Sequence, residues 1–212
     1  MLLDTGFRPS VNGFGFANTW DDVLLGVVPS RGRCGGMVFA ALDAWAAGEP
    51  LDEAAMRSTL PPYDAPISRQ IWHRQVDSVV VRAAANLWQF VRFTYVPTAA
   101  GIGIRTREDL LPLFDMLRSG RPAALGLVSA IVPLQLATNH QVLAYAAEFG
   151  DERVLVHIYD PNHPRRDDVR LAVPLDPAQP VMEHVGKRHT IWRGFFIEHY
   201  SPHGRQVKLP SK

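Results

Sequence analysis

The sequence predicts an α+β fold, with helices first and strands second, on three observations. Before about residue 120, apolar residues recur at three- to four-residue spacing. After Pro122 the apolar runs become short, alternate with polar residues and end in turn residues. The two kinds of segment are not interleaved, which argues against a βαβ array. At 212 residues one core suffices, since a single core can grow to roughly 250 residues before a chain splits. A single domain over 1–212 is therefore expected, divided into an extended lead-in (1–30), a mostly helical part (31–120), mostly strands (121–200) and a tail (201–212).

The lead-in is rich in Gly, Pro, Asn and aromatics (Phe7, Phe14, Phe16, Trp20) and reads as extended chain packed on the body rather than a regular element. Gly35 and Gly36 open a helix in which Val38, Phe39, Ala41, Leu42, Trp45 and Ala46 keep helical spacing, and Gly48-Glu49-Pro50 stops it. A short helix over 52–58 follows. Ser68 is then placed to cap a longer helix through about Arg92, whose stripe runs Ile71, Val76, Val79, Val80, Ala83, Leu87, Phe90 and Val91. Thr106-Arg107-Glu108-Asp109 reads as the capped start of a helix over 108–117 that closes at Gly120. Strands are expected over 124–128, 141–147, 154–159, 168–173 and 192–199, mostly antiparallel, with a hairpin turn at Gly150-Asp151 and a charged loop over 161–168.

Hydrophobic content of 47% against 20% charged residues is that of a folded globular chain rather than a disordered one. A net charge of +1 supplies no attraction toward nucleic acid or an anionic membrane, so neither is an expected partner. No segment approaches the roughly 20 uninterrupted apolar residues needed to span a bilayer, and no basic-then-apolar leader is visible, so a cytoplasmic location is expected. A single cysteine rules out an intramolecular disulfide. Nothing in the sequence bears on oligomeric state.

That cysteine, Cys34, lies in Gly32-Arg33-Cys34-Gly35-Gly36-Met37, where a glycine-rich turn enters the first helix. The unpaired N–H groups and positive dipole end of a helix start favour thiolate over thiol, which is the electrostatics of a nucleophile. A nucleophilic thiol needs a base, and the base an orienting group. His140 begins one apolar strand and Asp160 ends the next, and a hairpin turning at Gly150-Asp151 brings positions 140 and 160 to the same end. In chain order the set is thiol, imidazole, carboxylate. A buried structural cysteine, a satisfied strand-edge histidine and an ordinary Asp-Pro turn are the competing readings of each residue taken singly.

Gly32 to Met37 with the helix after it, His140-Gln141-Val142-Leu143-Ala144-Tyr145 and Ile158-Tyr159-Asp160-Pro161-Asn162 resemble the papain-like cysteine peptidase superfamily, in particular bacterial branches such as the double-glycine leader peptidases. The resemblance covers roughly residues 30–165. It implies a helical N-terminal half packed on a mostly antiparallel sheet, an active site in the cleft between them, and amide hydrolysis through a thioester acyl-enzyme. Cys34 would be the nucleophile, His140 the acid/base and Asp160 its orienter, acting on a peptide or protein without metal or cofactor. The family's second cysteine and the aromatic beside the nucleophile are replaced by Arg31 and Gly35, and its oxyanion-hole glutamine by Val28. The backbone N–H of Cys34 remains as one oxyanion donor. Asn18, pinned between aromatics in Phe16-Ala17-Asn18-Thr19-Trp20, is the candidate side-chain donor.

Other readings stay beside this one. Acyl transfer of the transglutaminase kind uses the same Cys-His-Asp order, and a papain-like binding module without turnover fits the missing glutamine. Asn162 is an alternative orienter for His140, as an amide is in papain relatives. His157, Asp160 and His163 have a metal-like spacing, but a strand followed by a proline turn makes them diverge. His184, His189, His199 and His203 read as solvated surface, and Gly101-Ile102-Gly103 lacks the preceding strand of a nucleotide loop.

Overall fold

The computed structural model describes residues 1–24, 28–96 and 99–202; His203 and the rest of the tail lie outside the described residues. The lead-in is more regular than expected. Strand β1 (Leu2–Asp4) pairs with a central strand of the main sheet, α1 (Pro9–Asn12) follows, and β2 (Asp21–Leu24) and β3 (Val28–Arg31) form an antiparallel hairpin. Glycine and proline content hid these elements because they are three or four residues long, too short to show a period.

Helix α2 (Cys34–Ala47) ends on Gly48 in the left-handed conformation. Short α3 (Glu53–Met56) is capped by Asp52, whose carboxylate accepts from the Ala55 N–H at 2.8 Å. Helix α4 (Pro66–Thr94) begins at Pro66, so Ser68 lies inside it instead of capping it. Proline at the first helical turn loses no hydrogen bond and outcompetes the later cap. The helix expected over 108–117 is α6 (Leu110–Arg118), and the residues expected to cap its start belong to a further helix, α5 (Ala99–Glu108), that was not foreseen. Thr106 is buried in α5, where its hydroxyl contacts the Phe195 backbone, and Gly101 to Gly103 are helical. Among the described residues no helix is long and apolar enough to cross a membrane.

The second half supplies β4 (Ala123–Val128), a 3-10 turn (Pro133–Thr138), β5 (His140–Phe149), β6 (Arg153–Tyr159), β7 (Arg170–Pro174), β8 (Val181–Val185), β9 (Arg188–Trp192) and β10 (Gly194–Ile197). The strand expected over 192–199 is β10 alone, with Trp192 ending a separate strand, and neither β8 nor β9 was foreseen. Among the described residues every pairing in this sheet is antiparallel, in the order β10-β4-β5-β6-β7-β8-β9 with β1 against β5. Only Arg193 separates β9 from β10, although these lie at opposite ends of that order. One residue can join them only if the sheet curls until its ends approach, so the sheet is a partly closed barrel.

The curl has two apolar faces. Inside lie Leu125, Leu127, Val142, Ala144, Val156, Ile158, Leu171, Val173, Val181 and Trp192, plugged by Leu110, Leu113 and Leu117 of α6. Outside, Leu143, Tyr145 and Tyr159 pack on Met37, Phe39 and Leu42 of α2, with Phe7, Phe14 and Trp20 of the lead-in. Each large side chain buried there contributes roughly 1.5–3 kcal/mol. Because every residue from Gly35 to Leu42 is buried, the first half of α2 is held firmly against one end of the curled sheet.

Candidate active site

Four strands deliver polar groups to one end of the barrel interior. In β5 and β6, alternate residues Val142, Ala144, Val156 and Ile158 face inward, so His140 and Asp160, two residues beyond, continue the inward rows into the barrel mouth. The register pairs Leu143 with Tyr159, which sets positions 140 and 160 diagonally across the hairpin. The two meet there: His140 Nε2 and Asp160 Oδ1 are 2.6 Å apart, and both residues are buried.

Cys34 arrives from the other side as the first residue of α2 and is half-buried. It neighbours His140 and adds to the ring's proton affinity, and because Asp160 occupies Nε2, Nδ1 is the nitrogen left for the sulfur. The structure thus brings Cys34, His140 and Asp160 together. Burial works against a charged imidazole, but the charge and hydrogen bond of Asp160, with a contribution from Cys34, outweigh it and hold the ring's proton affinity well above 6.5. For Asp160 burial again pushes up, yet His140 and the Asn162 N–H, donating to Oδ1 at 2.8 Å, keep the carboxylate below its ordinary range. Trp192 stacks on the imidazole, with centroids 6.1 Å apart and planes 19° apart.

The glycines beside Cys34 have packing reasons. A Cβ on Gly36 would strike the Ile71 carbonyl of α4, and one on Gly35 would strike the Gln141 amide and the Ser78 hydroxyl. Gly32, at φ +102°, takes a turn unfavourable to other residues and leaves room for Asn18. Asn18 Oδ1 accepts the Arg33 N–H, and its Nδ2 donates to Asn162 Oδ1 at 3.2 Å. Asn162 Nδ2 in turn lies 3.3 Å from His140 Nε2. Asn18 and Asn162 therefore tie the start of α2 to the imidazole's support. Val28 is the first residue of β3; its side chain lies outside the described residues.

Arg33 completes the frame. Its guanidinium is buried, pairs with Asp22 at 2.6 Å, donates to the Ser68 carbonyl at 2.7 Å, and sits 4.9–5.1 Å from the rings of Trp20, Tyr63 and Trp72. Stacking and bidentate pairing compensate burial of the charge. The arrangement fixes the residue immediately before Cys34.

Three buried polar residues escaped the sequence reading. Gln141 points to the outer face, its Oε1 3.9 Å from Cys34 Sγ, its Nε2 donating to Glu198 at 2.8 Å. Glu198 is fully enclosed, and burial pushes its carboxyl up to about 8 against the pull of the Gln141 bond and the nearby His140. Glu183 of β8 accepts from Trp192 Nε1 at 2.9 Å. One signal existed for it: in Val181-Met182-Glu183-His184-Val185 the glutamate shares parity with two valines, which places it on an apolar face.

The metal-like spacing comes apart: His157 bonds Glu148 at 2.7 Å, whereas Asp160 faces His140, with His163 3.7 Å from its second oxygen. His184 is half-buried, and His189 and His199 are exposed. No family model, curated protein or solved structure matches this chain.

Proposed function

We propose that this chain is a papain-like cysteine hydrolase that cleaves amide bonds in peptides or proteins. The observation that carries the reading is the grouping of Cys34, His140 and Asp160, with a half-buried cysteine at the start of α2, a buried imidazole and a buried carboxylate 2.6 Å from its far nitrogen.

As thiolate, Cys34 attacks the scissile carbonyl carbon. The N–H groups of Cys34 and Gly35 open α2 without intrahelical acceptors and stabilise the oxyanion, with the second N–H of the Asn18 amide as side-chain candidate. The C–N bond breaks as His140 Nδ1–H passes its proton to the leaving amine. Water then attacks the thioester and gives a proton to His140. The C–S bond breaks, and the thiolate–imidazolium pair is restored. Asp160 stays ionised throughout and holds the ring's tautomer and angle.

Incubation with a complex peptide mixture, read by mass spectrometry, tests this. The wild-type protein is expected to generate new peptide termini and an acyl adduct on Cys34, both absent from Cys34→Ala. With a primary amine present, incorporation of the amine in place of new carboxyl termini identifies acyl transfer instead. Absence of both cleavage and adduct contradicts the enzyme reading and favours a binding module.

A further inference from the structure

Resting on the cysteine-hydrolase reading, we propose that Glu183 is a positioning residue of the site, whose carboxyl shares one proton with Asp160 and so sets how strongly His140 is held as imidazolium.

Glu183 is 4% exposed and shares its inward parity with Val181, so it enters the barrel interior at the mouth where His140 and Asp160 sit. Its Oε2 takes the indole N–H of Trp192, the ring that stacks on His140. Its Oε1 is sealed from solvent without a hydrogen-bond partner, and Asp160 is the neighbouring carboxylate that acts on it. Two neighbouring carboxylates inside an apolar barrel repel, and an orphaned buried oxygen is costly. One proton between them removes both problems. It gives Asp160 a donor in addition to His140 and Asn162.

The charges around this proton come from several elements. Asp160, from the loop after β6, and His140 of β5 both act on Glu183 electrostatically. His163 reaches the other Asp160 oxygen at 3.7 Å from the half-exposed side. The cross-strand partners on β7 and β9, Leu171 and Thr190, carry no charge, and the registered pair Arg170 and His184 alternates to the other face. Burial first and the Asp160 charge second push Glu183 up to about 7, against the Trp192 bond and His140. Below neutrality Glu183–OH donates to Asp160 and draws charge away from its bond to His140. Above neutrality the proton leaves to solvent, and a second negative charge behind Asp160 holds the imidazolium more strongly.

The test compares wild type with Glu183→Gln, whose amide keeps an acceptor for Trp192 and presents a permanent donor to Asp160. Iodoacetamide rate constants for Cys34 are measured from pH 4 to 10. Both proteins are expected to share the acidic limb. The wild type adds an inflection near neutrality that the variant lacks, and imidazolium loss on the alkaline side falls roughly 0.5–1 pH unit lower in the variant, a three- to tenfold smaller imidazolium population there. Superimposable profiles overturn the proposal. Infrared difference spectra, wild type minus variant, supply a readout independent of turnover: the C=O band of a buried carboxylic acid is expected at pH 5.5 and gone by pH 8.5. Its absence at pH 5.5 overturns the proposal as well. A missing acidic limb in both proteins removes the hydrolase reading instead, and the infrared band then still decides whether Glu183 carries the proton.

Discussion

Removal of the imidazole is expected to slow alkylation of Cys34 at pH 6 about 100-fold, in both His140→Gln and His140→Ala. Without a proton acceptor the thiol behaves as a free cysteine, which ionises near 8.5 and is only about 0.3% thiolate at pH 6. The two variants separate chemistry from folding. Alanine leaves the buried Asp160 carboxylate without its 2.6 Å partner, and stripping a buried charge of its partner costs about 3–5 kcal/mol. Glutamine can donate to Asp160 in place of Nε2–H and is expected to fold with a smaller loss. Rates are read by mass spectrometry and stability by urea denaturation. Alkylation of His140→Gln at the wild-type rate at pH 6 would show that the imidazole does not activate the sulfur.

Glu198→Gln is expected to make the protein more stable than wild type at pH 9, by on the order of 3 kcal/mol, and to change little at pH 4. Burial pushes the folded-state carboxyl up to about 8 from an ordinary 4.5, so between these values the native protein binds more proton than the unfolded chain. Stability therefore falls as pH rises through that window, and above it the full penalty of a buried carboxylate remains. Its Oε2 has no partner, whereas Oε1 takes the Gln141 amide at 2.8 Å, an acceptor that glutamine retains. Glu183 adds a slope of the same sign but is common to both proteins and cancels in the comparison. Parallel stability–pH curves for the two proteins would place Glu198 in contact with water.

The sequence disclosed what repeats or lies at element boundaries. Helix α2 announced itself through Val38, Phe39, Leu42 and Trp45 and the glycine stop, and the Gly150-Asp151 turn brought His140 and Asp160 to one end of a hairpin. The glycines beside Cys34 were legible as a peculiarity, but as support for a reactive thiol they mislead. Gly35 and Gly36 are required by the close approach of α4 and Gln141, whatever the sulfur does. Short elements were hidden because three or four residues show no period: β1, α1 and the β2–β3 hairpin all fell within apparently irregular chain. Helix α5, docked through the Thr106 hydroxyl on the Phe195 backbone, and the break between β9 and β10 at Arg193 arise from tertiary contacts that no local pattern encodes. Glu183, Gln141 and Glu198 were missed because isolated polar residues in strands read as surface until the second face of the sheet is known to be covered. Only the parity of Glu183 with Val181 and Val185 hinted otherwise.

The ion pair proposed between Cys34 and His140 is read directly by the ultraviolet absorbance of the thiolate, because Cys34 is the only thiol in the chain. The difference between wild type and Cys34→Ala, followed from pH 4 to 9, is expected to show thiolate already present at pH 6, sustained by the protonated imidazole. A difference that develops only as pH approaches about 8.5, as in an unassisted cysteine, would contradict the account.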